Sequence, residues 1–504
     1  MLLGDLCKGA GIFCPDEYRQ ISVGGVSVST DRLNEGDLFV CIDGLHIDSH
    51  AFAGVACKKH ACAIVAGEGR EVDADIPVIR VPDCREAVSA LYASFYGNAQ
   101  NCMHFVGVTG TNGKTTVSRI LYDIMTRAGI KCGLIGTVGC LSPSGGIDIR
   151  SSNGLANMTT PDPEELYNIL SVMQKDGAEY VIMEVTSHAL ALKKVSPIHF
   201  DYAVFTNLSE DHFDFHKDME NYFEAKKKLF NMCDCAIINC DDLYGRRLYS
   251  ELKSKGTCET VRVSACGNPA EYQAGDIKYR GVHGVEYKLF ASGTRLRVRC
   301  SIPGNFTVMN TLEALVCARL IGINEKEIAD IISTVCHVSG RLESVDLGQD
   351  ADFSVFIDYA HTPDALENLL KSARDFKRKN QKIVLLFGCG GDRDRYKRKL
   401  MGQIASKYSD KIILTSDNSR TEKASDIISD IMQGIDKESN YTVVENRRQA
   451  IEYAISTAGP GDIILLAGKG HENYEIDREG KHPFCEKDIV KSAYEKRCRK
   501  KTGN

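Results

Sequence analysis

The segment 105–116, with the sequence FVGVTGTNGKTT, limits what this chain can fold into more than any other. An apolar run ends in glycines, and Gly113, Lys114 and Thr115 then lead into apolar residues at helical spacing. A strand, a small-residue loop and a helix N-terminus in this order turn backbone N–H groups toward one point, where a phosphate binds. Lys114 can reach the outer phosphates, and the Thr115 hydroxyl can bind Mg²⁺. We predict an ATP-binding loop; the alternative is a glycine turn without a ligand.

Length and composition indicate the class of protein. The 504 residues suggest about three domains. With 43% hydrophobic and 26% charged residues the chain is globular, and its net charge of −6 gives no general attraction to nucleic acid or to an anionic membrane. Because the sequence has neither a bilayer-spanning apolar run nor a signal-peptide core, we expect a cytoplasmic protein without a membrane partner. The 20 scattered cysteines favour buried thiols over disulfides or a zinc site.

The order of predicted elements divides the chain into three regions. Residues 1–99 carry short strands and turns with one helix near Arg85–Tyr96. Residues 100–339 and 340–504 alternate strands with helices, which predicts an α/β fold with mostly parallel sheets, the last of them doubly wound. The predicted strands of these two regions are Tyr180–Val185, Tyr202–Phe205, Cys235–Asn239, Val355–Ile357, Ile383–Phe387, Ile412–Leu414 and Ile463–Leu466.

Four polar loops follow the four strands of the third region, with the sequences DYAHTP, GCGGDRD, TSDNSR and AGKGHE. In open α/β sheets, ligands bind outside the carboxyl ends of the strands. The third region is therefore predicted to bind a ligand at this edge.

Two candidate metal ligands lie in the second region. Glu184 ends an apolar strand near the phosphate loop, where a carboxylate is placed to bind Mg²⁺; the alternative is an acid that caps the next helix. His212 and His216 in FTNLSEDHFDFH are four residues apart, as in some metal pairs. A Mg²⁺ and phosphate environment agrees better with the neighbouring ATP loop than a zinc site does; the alternative is a polar loop.

Lys226 is predicted to lie on the apolar face of a helix over Tyr222–Met232, while Lys227 and Lys228 point toward solvent. A lone ammonium on a buried face is costly unless it is paired or loses its charge. The alternative is a lysine whose head reaches solvent.

Two further residues are candidates for nucleotide contacts. Arg341 precedes the third region and could reach the phosphates across a domain boundary, and Asp358 ends a strand, where a carboxylate can bind a ribose. A surface salt bridge is the alternative for each.

Together these segments resemble the Mur ligase family nearly end to end. The motifs TGTNGKTT, TTPDP, MEVTSHAL, FTNLSEDHFDFH, EAKKKLF, DYAHTPDALE, FGCGGDRDRYKR and AGKGHE occur in the family's order. The resemblance implies an N-terminal UDP-binding domain, a central ATPase domain and a C-terminal Rossmann-like domain.

The resemblance also implies roles for individual residues. The implied catalytic set is Lys114, Glu184, His212 and Lys226, with Lys226 carbamylated so that it holds a second Mg²⁺ beside Glu184 and His212, and with Thr115 at the other ion. The implied ATP contacts are Gly110, Thr111, Asn112, Gly113, Lys114, Thr115, Thr116, Asn310, Arg341 and Asp358. The implied contacts to the UDP-muramoyl-dipeptide are Thr30, Thr159, Thr160, Thr186 and Lys194. The implied diaminopimelate contacts are Arg393, Asp417, Asn418, Ser419, Arg420, Gly468 and Glu472.

The reaction implied is ATP-dependent amide formation in peptidoglycan precursor synthesis, with meso-2,6-diaminopimelate as the acceptor amino acid. ATP is a co-substrate, two Mg²⁺ ions are cofactors, and the partners are small molecules bound by a cytoplasmic monomer. Arg420 in DNSR favours diaminopimelate, because a guanidinium can hold its second carboxylate through two hydrogen bonds. The family's diaminopimelate enzymes carry DNPR, so Ser419 replaces a proline.

Several departures and rivals stay open at this point. Near GDLF the family's uridine motif DSR is replaced by STDR, and Leu192 and Lys194 stand where glutamine and arginine are usual. The same chemistry with L-lysine or another diamino acid is the alternative acceptor. Folylpolyglutamate synthetase, a non-catalytic ATP-dependent binding protein and a simple P-loop kinase are further rivals.

Overall fold

The computed structural model describes residues 1–44, 48–147, 158–291, 293–335, 338–348 and 350–502. Their strands form three sheets and a separate hairpin, and most neighbouring strands of the three sheets run parallel. The predicted α/β fold with mostly parallel sheets is confirmed. Within the described residues, no helix is long and apolar enough to cross a membrane.

The N-terminal region forms a four-stranded parallel sheet in the order β1-β2-β3-β4. The predicted helix is confirmed as Cys84–Phe95, whose first turn is capped by Asp83 accepting from the Glu86 N–H at 2.9 Å. The prediction of a single helix is wrong, because two helices of seven and six residues are too short to show a clear period. The elements are α1 (Leu3–Gly9), β1 (Val26–Ser27), β2 (Leu38–Val40), α2 (Ala53–Lys58), β3 (Ala63–Gly67), β4 (Val78–Val81) and α3 (Cys84–Phe95).

The central region forms a sheet in the order β15-β14-β13-β12-β11-β10-β5-β9-β6-β7-β8. Its strands are β5 (His104–Thr109), β6 (Cys132–Gly136), β7 (Gly139–Ser142), β8 (Gly145–Gly146), β9 (Tyr180–Glu184), β10 (Phe200–Phe205), β11 (Cys233–Asn239), β12 (Glu259–Ser264), β13 (Tyr272–Tyr279), β14 (Val285–Ala291) and β15 (Thr294–Cys300). Its helices are α4 (Lys114–Arg127), α5 (Pro163–Lys175), α6 (Ser187–Ala191), α7 (Phe213–His216), α8 (Met219–Lys227), α9 (Leu243–Lys255), α10 (Phe306–Ile321) and α11 (Glu325–Thr334).

The centre of this sheet explains where the phosphate loop lies. Strand β5 pairs in parallel with β9 and β10, so that Val108 is opposite Glu184 and Thr109 is opposite Phe205. The carboxyl ends of three neighbouring strands therefore meet at one edge. The phosphate loop, Glu184 and the segment after Phe205 are close together because of this register.

Both faces of the central sheet are buried. Val106 and Val108 pack with Ile120, Leu121 and Ile124 of α4 in one core, and Phe105 of β5 enters the core on the other face. Each fully buried aliphatic side chain contributes about 1.5–3 kcal/mol. The helix that follows the phosphate loop is thus held rigidly against the sheet.

The C-terminal region forms a sheet in the order β16-β17-β21-β18-β19-β20, parallel from β17 onward. Its four predicted strands are confirmed to within one residue, and their polar loops lie at one edge. The elements are β16 (Glu343–Ser344), β17 (Ser354–Asp358), α12 (Pro363–Phe376), β18 (Ile383–Phe387), α13 (Tyr396–Tyr408), β19 (Lys411–Leu414), α14 (Ala424–Met432), β20 (Tyr441–Val443), α15 (Arg447–Thr457), β21 (Ile463–Ala467), β22 (Tyr474–Asp477), β23 (Gly480–Pro483) and α16 (Glu486–Thr502).

Candidate active site

The loop between β5 and α4 has the geometry of a phosphate-binding turn. Gly113 adopts φ +87°, and a Cβ atom there would lie 2.7 Å from Oδ1 of the buried Asn310 side chain. Glycine is needed at this position both for the left-handed backbone and for the close approach of Asn310. The Lys114 ammonium donates to the carbonyl oxygens of Gly110 at 2.8 Å and Thr111 at 2.9 Å, so it lies over the loop.

Glu184 lies directly beside this loop. Its Oε2 atom accepts from the Thr115 hydroxyl at 2.9 Å and from the Thr137 hydroxyl at 3.0 Å. Its Oε1 atom accepts from the Thr137 backbone N–H at 2.9 Å. Thr115 of α4 and Thr137 after β6 thus orient the carboxylate toward the phosphate loop. The alternative, in which Glu184 caps the next helix, is wrong because Thr186 caps α6.

Gly136 makes room for this carboxylate at the end of β6. A Cβ atom on Gly136 would lie 2.2 Å from Glu184 Oε1 and 2.9 Å from its Cδ. Such distances are far inside van der Waals contact, so any larger residue must displace the carboxylate.

We expect Gly136→Ala to lower kcat by about 100-fold, because a displacement of about 1 Å at a reacting site has costs of this size. Steady-state phosphate release measures the change, and the melting temperature should fall by no more than about 5 °C. The control is Gly146→Ala, since a Cβ at Gly146 meets nothing within 4 Å. Wild-type activity in Gly136→Ala would show that the position of Glu184 is unimportant.

Lys226 is buried, with 1% of its surface exposed. Its Nζ donates to the carbonyl oxygen of Gly110 at 2.8 Å and lies 4.7 Å from the centroid of the Tyr222 ring. The pKa of Lys226 lies well below its usual value, mainly because the side chain is buried and to a smaller extent because the Lys114 charge is close. The alternative of a lysine reaching solvent is excluded by this burial, and the amine is poised to be neutral.

The structure corrects two details of this helix. The α-helix covers Met219–Lys227, and Lys228–Asn231 continues as a 3₁₀ turn instead of further α-helix. The predicted exposure of Lys227 is wrong: only 13% of its side chain is exposed, and its ammonium pairs with Glu224 and with Glu251 at 2.9 Å. Lys228 is exposed as predicted.

The two histidines of the segment 205–216 have different surroundings. His212 has φ +55° just before α7, is half-exposed, and its ring centroid lies 6.2 Å from that of Tyr222. Lys226 and His212 are therefore both neighbours of the Tyr222 ring. His216 is buried, and its Nε2 lies 2.9 Å from the Ser187 hydroxyl, which explains its position by packing and hydrogen bonding.

The oxygen donors at this edge suit a hard divalent cation. The Thr115 hydroxyl and Glu184 carboxylate also line a small cavity of about 90 Å³ together with Ser118 and Gly139. Mg²⁺ binds oxygen ligands and keeps several waters, and it is commonly held by one or two carboxylates plus substrate phosphates. The residues present therefore agree with a magnesium site next to the phosphates.

Two contacts join the C-terminal region to the phosphate loop. Arg341 donates to the Thr115 hydroxyl at 3.2 Å, and Asp364 of α12 accepts from the Asn112 side chain at 2.8 Å. Asp358 accepts backbone N–H groups of Leu342 and Ala360 at 2.7 and 2.8 Å. Arg341 thus reaches the phosphate-loop side of the boundary, and its contact with the ATP phosphates stays a prediction.

Of the residues predicted for the dipeptide substrate, Thr160 and Thr186 contact each other, and the others have separate partners. Thr160 bonds to the Thr186 hydroxyl at 3.2 Å, and the Thr159 hydroxyl lies 3.0 Å from that of Thr137. Lys194 is buried and pairs with Asp162 at 2.7 Å. Thr30 lies in the N-terminal region, in the segment whose Arg32 reaches Glu164 of α5 at 3.3 Å.

A cleft of about 1020 Å³ lies between the central and C-terminal regions. Asp211 and His212 line its central side. Among the described residues that line it on the C-terminal side are most of the predicted acceptor contacts: Arg393, Asp417, Asn418, Arg420, Gly468 and Glu472. Ser419 is not among the lining residues; its carbonyl accepts from the Glu422 N–H at 3.1 Å.

Buried charges beneath the cleft orient the Asn418 side chain. Its Oδ1 accepts from Lys469 Nζ at 3.0 Å and from the Ile476 N–H at 2.9 Å, so its Nδ2 donates to Glu472 at 2.7 Å. Burial raises the pKa of Glu472, with the Asn418 hydrogen bond opposing it. Burial also acts to raise the pKa of Asp417, but the positive charges of Lys469 and Arg447 outweigh it and lower that pKa.

Several residues of the site carry no clear sequence signal. Gly136 and Thr137 lie at the carboxyl end of β6, which β9 separates from the phosphate strand, so only their place after an apolar run could have pointed to them. Asp364 was not singled out because its role depends on how two domains meet. Tyr222 was noted only as an apolar neighbour of Lys226.

A phosphate loop on one α/β region, and an acidic, arginine-lined cleft between that region and a second, are typical of an ATP-dependent ligase. The chain belongs to the Mur ligase family: the Mur ligase middle domain matches residues 108–318, and the Mur ligase, glutamate ligase domain matches residues 340–470. The family resemblance predicted from the sequence is confirmed.

Individual relatives match over nearly their whole length. The chain is 37% identical over 490 residues to the UDP-N-acetylmuramoyl-L-alanyl-D-glutamate--2,6-diaminopimelate ligase of Clostridium perfringens, covering 97% of this chain and 99% of that protein. It is 40% identical over 499 residues to the ligase of the same name from Clostridioides difficile, covering 98% of this chain and 100% of that protein. A solved structure of a ligase with this name superposes with a TM-score of 0.70 at 30% identity, covering 99% of this chain and 100% of that one.

Proposed function

We propose that this protein adds meso-2,6-diaminopimelate to UDP-N-acetylmuramoyl-L-alanyl-D-glutamate with hydrolysis of ATP to ADP and phosphate. The observation that supports this most is the shared cleft, in which His212 of the ATP-binding region faces Arg393 and Arg420 of the acceptor loops. The names of the relatives agree with this acceptor. The product is a precursor of peptidoglycan.

The first step is phosphoryl transfer. An oxygen of the D-glutamyl γ-carboxylate attacks the γ-phosphorus of ATP, the bond to the β–γ bridging oxygen breaks, and ADP leaves. Lys114 lies at the phosphate loop and can exchange its two carbonyl partners for phosphate oxygens. Arg341 adds a second positive charge beside Thr115. The product of this step is an acyl phosphate.

The second step forms the amide. The amine of diaminopimelate attacks the acyl carbon, a tetrahedral intermediate forms, the carbon–oxygen bond to phosphate breaks, and the nitrogen loses a proton. We infer that Arg420 holds the carboxylate at the far end of the acceptor and that Glu472, which accepts from the Asn418 amide, receives the ammonium group there. Orientation in the closed cleft is the main contribution of these residues.

Two Mg²⁺ ions complete this proposal. When bound, they neutralise charge on the phosphate oxygens. Thr115 and Glu184 are the ligands we assign to one side of the site, and His212, Glu184 and Lys226 as its carbamate to the other. Support comes from the burial and lowered pKa of Lys226, because a neutral amine reacts with CO₂ and the carbamate gains an anionic charge.

We also propose the domain boundaries 1–99, 100–339 and 340–504, since the three sheets occupy the separate ranges 26–81, 104–300 and 343–467. The remaining ATP and dipeptide contacts named from the sequence are part of the same proposal. The protein is proposed to act as a cytoplasmic monomer on small-molecule substrates.

An acceptor panel tests the proposed function. The enzyme is incubated with ATP, Mg²⁺, the UDP-muramoyl-dipeptide and either meso-diaminopimelate, L-lysine or L-glutamate, and products are identified by mass. We expect the diaminopimelate tripeptide, with kcat/KM for lysine lower by about 100-fold or more because lysine lacks the second carboxylate. Preferential formation of the lysine product would contradict the assigned acceptor.

A further inference from the structure

A buried ion pair lies behind the two loops that carry the acceptor arginines. Arg398 of α13 is 0% exposed, and its NH2 and NH1 groups donate to the two carboxylate oxygens of Glu422 at 2.7 and 2.9 Å. NH1 also donates to Asp430 at 2.9 Å, and NH2 to the Gly390 carbonyl at 3.3 Å. A two-point guanidinium–carboxylate contact of this kind fixes orientation as well as distance.

Glu422 connects this pair to the first loop, residues 388–395. Its Oε1 accepts from the Asp392 backbone N–H at 2.6 Å, and its Oε2 accepts from Arg395 at 2.9 Å. The neighbouring Thr421 donates to the Asp392 carboxylate through its hydroxyl at 2.7 Å and its backbone N–H at 3.2 Å. The first loop is therefore held at Asp392, one residue before Arg393.

The second loop, residues 415–422, is held in the same network. The Gly391 N–H donates to the Asn418 carbonyl at 2.9 Å, and Arg420 donates to the Gly391 carbonyl at 2.8 Å. Asp392 and Arg420 both have left-handed backbones, with φ of +53° and +52°. Non-glycine residues adopt this conformation only where surrounding contacts hold it.

We propose that the Arg398–Glu422 pair positions Arg393 and Arg420 for the acceptor amino acid and so contributes to its selection. Neither member of the pair lines the cleft in the described part of the chain, so both act through the two loops. This inference rests on the proposed function, since it concerns the grip on the far carboxylate of diaminopimelate.

Kinetics of Glu422→Gln and Arg398→Lys test the proposal. Glutamine keeps the shape of Glu422 but loses its charge, and lysine cannot contact Glu422, Asp430 and Gly390 in the same fork geometry. We expect KM for diaminopimelate to rise about tenfold while kcat and KM for ATP change by less than about threefold. The preference for diaminopimelate over lysine should fall by about the same factor as kcat/KM for diaminopimelate.

The control is Asp410→Asn, at the opposite edge of the same sheet. Asp410 pairs with Lys377 at 2.6 Å and accepts from the Ile383 N–H at 2.7 Å, so its change costs stability far from the cleft. It should leave KM for diaminopimelate unchanged.

Removing one partner of a buried pair leaves an uncompensated charge, which can prevent folding. A second variant is therefore needed that keeps the protein folded. The double variant Arg398→Met with Glu422→Met removes both charges at similar volume and should fold, with the same rise in KM for diaminopimelate. Variants that lose melting temperature but keep the KM and the acceptor preference of the wild type would overturn the positioning role. Wild-type enzyme that does not use diaminopimelate at all would instead overturn the proposed function, and this inference with it.

Discussion

Lys226→Met should lower kcat by about 100- to 1000-fold, the range seen when one preorganised electrostatic group is removed from a catalytic site. Methionine has a similar length and no charge, so the helix packing is preserved. Because it is costly to bury the Lys226 nitrogen against one backbone carbonyl, the variant should melt at the same or a higher temperature than the metal-free, unmodified wild type. Phosphate release and calorimetry measure the two quantities.

The neighbouring lysine provides the matched control. Lys227→Met removes an ammonium from the same helix, but one that is paired with Glu224 and Glu251. It should cost up to about 1 kcal/mol of stability and leave kcat within about twofold. Equal activity losses in the two variants would contradict a specific role for Lys226.

The proposed carbamate can be tested directly by spectroscopy. Enzyme equilibrated with ¹³C-bicarbonate should show one carbamate signal that is absent from Lys226→Met. Carbamylation needs the neutral amine, and burial lowers the pKa of Lys226. The signal should therefore persist to a lower pH than that of an exposed lysine and disappear as the pH falls through the lowered pKa, where the amine becomes protonated.

Arg420→Ala should raise KM for diaminopimelate by about 100-fold, since each hydrogen bond to a charged group contributes about 1.5–3 kcal/mol to binding. KM for ATP should stay within about twofold, because Arg420 lies in the acceptor cleft and not at the phosphate loop. Arg420→Lys keeps the charge but not the planar fork, so it should give an intermediate loss. Initial rates at varied concentrations of each substrate separate these effects.

A surface arginine serves as the control for Arg420. Arg448 is exposed at the start of α15, and Arg448→Ala should leave both KM values unchanged. Because Arg420 also donates to the Gly391 carbonyl, circular dichroism and melting of Arg420→Ala must match the wild type for the KM to be interpreted. Equal losses for ATP and diaminopimelate would count against a role in holding the acceptor.

The elements that build the site were predictable from local pattern. Four of the six described strands of the C-terminal sheet were predicted to within one residue, because each of the four is a short, continuous apolar run that ends in polar residues. The phosphate loop was predictable because its glycines and Lys114 lie between a predicted strand and a predicted helix, an arrangement that binds phosphate. The burial of Lys226 was predictable as one of two alternatives from helical spacing alone, and the structure decides between them.

The features of the site that could not be predicted from the sequence depend on contacts between distant segments. Thr137 and Gly136 matter only because β6 lies beside β9, which brings them to Glu184. The ion pair between Lys227 and Glu251 joins α8 to α9, and no periodicity of α8 predicts it. Likewise, Arg398 and Glu422 are 24 residues apart, and their contact depends on how α13 and the loop after β19 pack together.

Transfer of oxygen from the dipeptide carboxylate to phosphate tests the central claim most directly. The UDP-muramoyl-dipeptide is labelled with ¹⁸O in both oxygens of its D-glutamyl γ-carboxylate and turned over with ATP, Mg²⁺ and diaminopimelate. An acyl phosphate requires that the released phosphate carries one ¹⁸O atom and that the amide keeps the other. Phosphate without ¹⁸O, released while the tripeptide forms with one ¹⁸O in its amide, would contradict the account, because the second labelled oxygen would then have left as water.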